Sequence, residues 1–315
     1  MQPSNYSKLL TELDEFDAIL ERRSAHNEEG NGTITADRQK SDVISLERQK
    51  SLEKFLQLKR LEEVVYRNVD NYTLPDKITP RSAAEFVETN VGGVQVLLDA
   101  IKASGRRIRF VQVSTDEVYG SIDSGSWTEQ WPLMPNSPYS ATKAGGELLA
   151  RAYHRTHGLE VVITRCSNNY GSHHFPEKLI PLFVTNLLEG KKVPVYGNGK
   201  NVRDWLHVDD HCRGIHKVLM NGRAGEVYNI GGGRELTNNE ITSLILAAMG
   251  KDDSSIEYVE DRKGHDLRYS VDWTKIKNEL GYEPQVKFED GLRETIQWYR
   301  DNEAWWKPLK ERAGL

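Results

Sequence analysis

Three stretches of this chain bring together side-chain types that could do chemistry. The first is Ser114-Thr115-Asp116-Glu117-Val118-Tyr119-Gly120, a hydroxyl and two carboxylates that leave a β-branched run at 108–113. Adjacent residues leaving a strand point in different directions, so Asp116 and Glu117 can serve different atoms of one ligand. An isolated Thr-Asp-Glu is far more often a solvated acidic turn. The second is Tyr139 and Lys143, four residues apart at a helix start and therefore on one face. An ammonium beside a phenol favours the phenolate and makes it a usable base. Alone the pair means little, because a chain with 13 tyrosines meets a Y-x-x-x-K by chance about once. The third is Arg165-Cys166-Ser167-Asn168-Asn169-Tyr170-Gly171, rich in amides. Further on lie Lys178, Arg203, Arg262 and His265, cations that would suit a diphosphate if they converged. As separate short strings they are more often surface ion pairs.

These groups need elements to position them. Ala83 to Ser104 reads as helix, 108–113 as strand, and Pro138 to His157 as a long helix with proline at its start. Strands follow at 160–164 and 226–230, the latter closed by Gly231-Gly232-Gly233. Thr237-Asn238-Asn239-Glu240 is a capping box that opens another helix. Strands separated by helices imply a parallel sheet with crossovers, and in such open α/β sheets a ligand sits beyond the carboxyl ends of the strands. The first and third stretches fall at such ends, and the Tyr139–Lys143 pair follows the first by a short loop. Residues 1–80 differ in composition. Leu9, Leu10, Leu13, Phe16, Ile19 and Leu20 recur at helical spacing, a second such pattern spans 46–65, and no chemistry is evident in either.

Composition narrows the classes further. A net charge of -5 offers no basic field for a nucleic-acid backbone. No apolar run approaches a membrane span, and the start carries no secretory pattern. Cys166 and Cys212 form no CxxC and read as ordinary buried thiols of a reducing, cytoplasmic compartment. Asn31-Gly32-Thr33 is a sequon that would then be inert. His207 and His211 are four apart, but no third ligand of suitable spacing follows, so no metal is expected.

Taken together, S-T-D-E-V-Y-G, Y-S-A-T-K, T-R-C-S-N-N-Y-G, F-P-E-K-L-I-P-L, N-V-R-D-W-L-H-V-D-D and G-H-D-L-R-Y resemble the dTDP-glucose 4,6-dehydratases, NAD-dependent members of the extended short-chain dehydrogenase/reductases. The resemblance runs over about residues 81–315 and in the family order. It implies that Tyr139, held by Lys143, removes the C4 hydroxyl proton while hydride passes to NAD. It implies that Glu117 takes the C5 proton, that Asp116 protonates the departing C6 hydroxyl, and that Thr115 bonds the reacting hydroxyl. By the same resemblance Thr115, Asn168, Lys178, Leu179, Pro194, Tyr196, Arg203, Asn238, Arg262 and His265 hold dTDP-glucose or a similar sugar nucleotide. Thr89 and Asn169, with Tyr139 and Lys143, touch the cofactor. A homodimer formed through the helix carrying Tyr139 is implied as well.

One departure bears on the fold. Members of that family begin with a strand and a G-x-x-G-x-x-G turn that cradles the NAD pyrophosphate, and no such string occurs here. The expected architecture is a Rossmann-like parallel sheet lacking its usual N-terminal strands. Residues 1–80 would be a divergent helical segment, 81–172 and 201–235 a truncated nucleotide-binding domain, and 173–200 with 236–315 a small substrate domain. Two functional readings follow: a dehydratase, or a non-catalytic relative that keeps the sugar-nucleotide cleft.

Overall fold

The structure is a computed structural model and describes residues 83–261 and 264–315. The helical segment expected at 1–80, its sequon and Arg262 lie outside the described residues. The chain first forms α1 (Ala83–Val87), a wider π-helical turn (Glu88–Gly92) and α2 (Gly93–Ala103), which together occupy the helix expected at 83–104. Then come β1 (Arg109–Thr115), a 3-10 turn (Asp116–Tyr119), α3 (Pro138–His157), β2 (Glu160–Cys166) and β3 (Asn168–Tyr170). The middle contains α4 (Leu179–Leu188), β4 (Val193–Tyr196), β5 (Val202–His207), α5 (Val208–Asn221) and β6 (Val227–Ile230). The last part holds β7 (Glu235–Thr237), α6 (Asn238–Met249), β8 (Ile256–Val259), α7 (Thr274–Leu280), α8 (Phe288–Asp301) and α9 (Glu303–Arg312).

Helix α3 shows how locally specified these elements are. Ser137 accepts from the Ser140 backbone N–H while the Ser140 side chain answers the Ser137 backbone, Pro138 occupies the first turn, and Gly158 ends the helix at φ 68°. The same logic starts α6 at Thr237, whose partner is Glu240. Both helices begin where the sequence signals place them.

Strands β1, β2 and β6 form a parallel sheet in that order, with Ser114 opposite Arg165 and Arg165 opposite Asn229. Parallel neighbours cannot be joined by a hairpin, so α3 makes the crossover from β1 to β2. Val94, Leu98 and Ala150 of α2 and α3 pack on Val161 and Ile163 of β2. The opposite side is filled by Val218, Ile276 and Tyr282 against Val162, Tyr228 and Ile230. Each such Val or Ile, buried almost completely, stabilises by roughly 1.5–3 kcal/mol. A second layer sets β3 parallel and β7 antiparallel to β5, and β4 pairs in parallel with β8. Its core lies among α4, α6, α8 and α9, with Phe183, Ile241, Leu292 and Trp306 inside.

Candidate active site

At the carboxyl end of β1 the chain turns at once into the 3-10 segment, and Thr115 caps it by accepting the Glu117 backbone N–H at 3.3 Å. That tight turn buries Asp116 to 2% exposure and leaves Glu117 partly open. Thr115 donates to Asp116 Oδ1 at 3.2 Å, while Oδ2 has no partner among the described residues. Burial, reinforced by the neighbouring Glu117 charge, pushes the Asp116 carboxyl well above the usual carboxylate range; Arg203 opposes the shift only in part. Such an environment favours the protonated carboxyl, the form that can donate.

Tyr139 and Lys143 lie in the first turns of α3. The Lys143 ammonium donates to the Val113 carbonyl on β1 at 2.8 Å, which ties α3 to the strand that presents Asp116. Burial moves the lysine down, with Cys166 and Glu147 nearby acting the other way. The Tyr139 ring meets Phe86 of α1 edge-on, centroids 5.5 Å apart. The π-helical turn that carries Thr89 reaches this helix through a glycine. A Cβ on Gly146 would lie 2.5 Å from the Asn90 carbonyl oxygen, so only glycine lets the π-helical turn approach α3 this closely. Asn90 then bonds Thr142 at 2.9 Å.

Beyond β2, the Asn169 amide donates to Ser167 O at 3.0 Å and to Cys166 Sγ at 3.5 Å, and the side-chain oxygens of both Asn168 and Asn169 are buried without partners. Cys166 sits within electrostatic reach of both Asp116 and Lys143, and burial pushes its thiol up to about 12, so it stays protonated. No local signal marks this thiol as part of the cluster, because it comes near Asp116 only through the β1–β2 register, in which Thr115 faces Cys166. Cys212 is exposed on α5, so the expectation of two buried thiols is not met there.

The remaining residues lie in the second layer and its loops, and of these Arg203 reaches the Asp116 carboxyl electrostatically. Arg203 is buried, lies over the Tyr269 ring with Cζ 4.2 Å from the centroid, and donates to the carbonyls of Val202 and Asp266. His265 bonds Asp261 Oδ1 at 2.7 Å. Pro194 and Tyr196 lie on β4, opposite Glu257 and Val259 of β8. Asn238 opens α6, its backbone N–H on Asn201 O at 2.9 Å. Lys178 and Leu179 stand at the start of α4, with the lysine 3.2 Å from Glu177. His207 accepts the Asp209 N–H as the cap of α5, and among the described residues no three His, Cys, Asp or Glu side chains gather as metal ligands.

This arrangement matches known proteins. A family model described as GDP-mannose 4,6 dehydratase matches residues 29–295, so the match begins well before the motifs quoted above. A dTDP-glucose 4,6-dehydratase of Streptomyces niveus is 62% identical over 230 residues, which cover 73% of this chain and 68% of that protein. The chain belongs to the dTDP-glucose 4,6-dehydratase family. Among solved structures, DesIV of Streptomyces venezuelae, a dTDP-glucose 4,6-dehydratase with NAD and TYD bound, superposes with a TM-score of 0.71 at 64% identity, covering 72% of this chain and 70% of that one. The Bacillus anthracis dTDP-glucose 4,6-dehydratase in complex with NAD gives a TM-score of 0.69 at 55% identity, with 74% of each chain covered. The α/β fold with its parallel sheet is therefore the Rossmann-type fold of that family, and nothing in these matches favours the non-catalytic alternative. Among the described residues, no helix is long and apolar enough to cross a membrane.

Proposed function

We propose that this chain removes water from dTDP-glucose, giving the 4-keto-6-deoxy sugar nucleotide. One observation carries the reading: Asp116, buried and with its carboxyl pushed up by that burial, stands next to a more open Glu117 at the end of β1. Dehydration across C5 and C6 needs such a pair. Glu117 takes the proton at C5, and Asp116 gives its proton to the departing C6 hydroxyl. Tyr139 takes the C4 hydroxyl proton, with Lys143 holding it on α3, and Thr115 bonds the reacting hydroxyl. Each proton transfer to or from a positioned side chain is worth about 10²–10⁴-fold.

NAD is the implied cofactor, and the described residues suit its nicotinamide end. The Asn169 amide nitrogen meets Cys166 while its side-chain oxygen has no partner among the described residues, and the π-helical turn that carries Thr89 is drawn against α3 at Gly146. When bound, NAD accepts the hydride from C4 and returns it to C6, so no net oxidation remains. Asn168, Lys178, Leu179, Pro194, Tyr196, Arg203, Asn238, Arg262 and His265 hold the nucleotide and sugar. The chain then divides into a nucleotide-binding part, 81–172 with 201–235, and a substrate part, 173–200 with 236–315. Leu148, exposed on α3, supports pairing of two copies through that helix. A cytoplasmic setting suits two free thiols.

The test is to incubate the protein with dTDP-glucose and NAD and weigh the product. Loss of one water, abolished in Tyr139→Phe, supports the reading. Intact dTDP-glucose in the wild-type reaction refutes it.

A further inference from the structure

The reaction proposed above needs two pairs in register: Tyr139 and Lys143 on α3, and Asp116 and Glu117 on the 3-10 turn. These pairs belong to different elements. Apolar packing of Val118 and Tyr119 against Ala144 brings the elements together, but such contact is non-directional. A directional link lies behind it. Glu147 is the next residue on the face that carries Tyr139 and Lys143, at the same four-residue spacing. It is 1% exposed and forms a fork with Arg165 of β2: Nη2 to Oε2 at 2.6 Å, and Nε to Oε2 and Oε1 at 3.0 and 3.2 Å. The other arm of the guanidinium, Nη1, donates to the Tyr119 hydroxyl at 2.7 Å, and Arg165 Cζ lies 4.7 Å from that ring's centroid.

Tyr119 closes the circuit. Its hydroxyl is pushed up to about 12 by burial, so it keeps its proton and donates to Asn229 Oδ1 of β6 at 2.8 Å. Asn229 in turn donates to the carbonyls of Trp127 and Asp272. The four side chains are each at most 5% exposed, and the fork fixes both distance and rotation where apolar packing fixes neither. Arg165 immediately precedes Cys166 and faces Ser114 across the sheet, so it anchors the strand ends from below the cluster.

We infer that Glu147, Arg165 and Tyr119 are positioning residues that hold the proton-transfer pair at C5 and C6 in register with the pair that acts at C4. The inference rests on the dehydratase reading. None of the three needs to touch substrate: Tyr119 ends the turn that begins with Asp116, and Glu147 lies one helical turn beyond Lys143.

The test compares Tyr119→Phe and Arg165→Lys with a control, Val162→Ala, which hollows the same sheet at a fully buried position outside the network. Tyr119→Phe keeps the ring and removes only the hydroxyl. Arg165→Lys keeps the charge and loses the fork. Turnover is measured with dTDP-glucose carrying deuterium at C4 or at C5, beside the thermal midpoint. Loss of register should lower kcat by about tenfold to a hundredfold with KM little changed. The C5 isotope effect should rise relative to the C4 effect, because proton removal by Glu117 becomes the slow step. The control should lower the midpoint and leave the ratio of the two effects alone. Wild-type kcat in Tyr119→Phe, or an unchanged ratio in both network variants, overturns the inference while leaving the reaction in place. A wild-type protein without turnover instead removes the dehydratase reading, and the inference with it.

Discussion

Two aspartates, Asp116 after β1 and Asp210 in the first turn of α5, are buried to almost the same degree, at 2% and 1% exposure. Their surroundings are opposite. Asp210 accepts the backbone N–H groups of Gln285 at 2.7 Å and Val286 at 2.9 Å, and Arg213 pairs with it. Asp116 has one hydroxyl on one oxygen and nothing on the other. Burying a carboxylate costs several kcal/mol unless donors replace water. Asp210 repays that cost by stapling the loop before α8 to α5. Asp116 does not repay it, and the fold tolerates an orphaned acid at the place where the strand end meets a ligand. Among the described residues Ser114, Asn168 and Asn169 each have a buried polar atom without a partner near the same strand ends, and so do His211 and Arg213 beside Asp210. The contrast therefore lies in the two carboxyl groups themselves: donors saturate Asp210, whereas one Asp116 oxygen has no partner among the described residues.

The comparison breaks first at Asp116→Asn. Removing the proton donor should lower turnover by about 10²–10⁴-fold without lowering the thermal midpoint, and a clear fall in midpoint would make Asp116 a structural residue after all. Next in size, Asp210→Ala takes the acceptor from two backbone N–H groups and from the part-exposed Arg213 guanidinium. It should cost about 3–5 kcal/mol of stability by denaturant titration, and a loss under 1 kcal/mol would show the stapling to be idle.

A smaller effect is spread over pH. Burial holds His174 and His211 down to about 4, so between about 4 and the ordinary 6.5 the unfolded chain binds the extra protons. Stability should therefore fall as pH drops through that window, by up to about 3 kcal/mol for each histidine. Asp116 works with the opposite sign. Its folded-state pKa is raised, so its share is lost as pH rises above about 3.9. Thermal midpoints read from pH 7 to 4 should show the histidine slope, and His211→Phe should flatten it; an unchanged slope would place the proton uptake elsewhere. Least of all, Arg107→Ala removes an exposed partner of Glu160 and should leave the midpoint unchanged.

Much of this was legible before any coordinates. Ser137-Pro138 and Thr237 to Glu240 announce their helices, because caps are local chemistry, and β1 ends where its β-branched run gives way to Asp116. The site residues carried by motif also lie near strand ends or helix starts. What stayed hidden is non-local. Glu147 and Arg165 are 18 residues apart on different elements, and nothing in either neighbourhood marks them as a pair. Cys166 reads as an ordinary thiol until the β1–β2 register brings it beside Asp116. Gly145-Gly146 looks like a weakness inside α3, whereas Gly146 is the gap through which the Thr89 segment approaches.

The protonation state of Asp116 tests this site most directly. With carboxyl-labelled aspartate, its carbon-13 resonance can be assigned by its disappearance in Asp116→Asn and followed through a pH titration. A midpoint well above the ordinary value near 3.9 is predicted. Titration of Asp116 at the ordinary carboxylate value would mean that it carries no proton to give, and the assignment of the acid would fail.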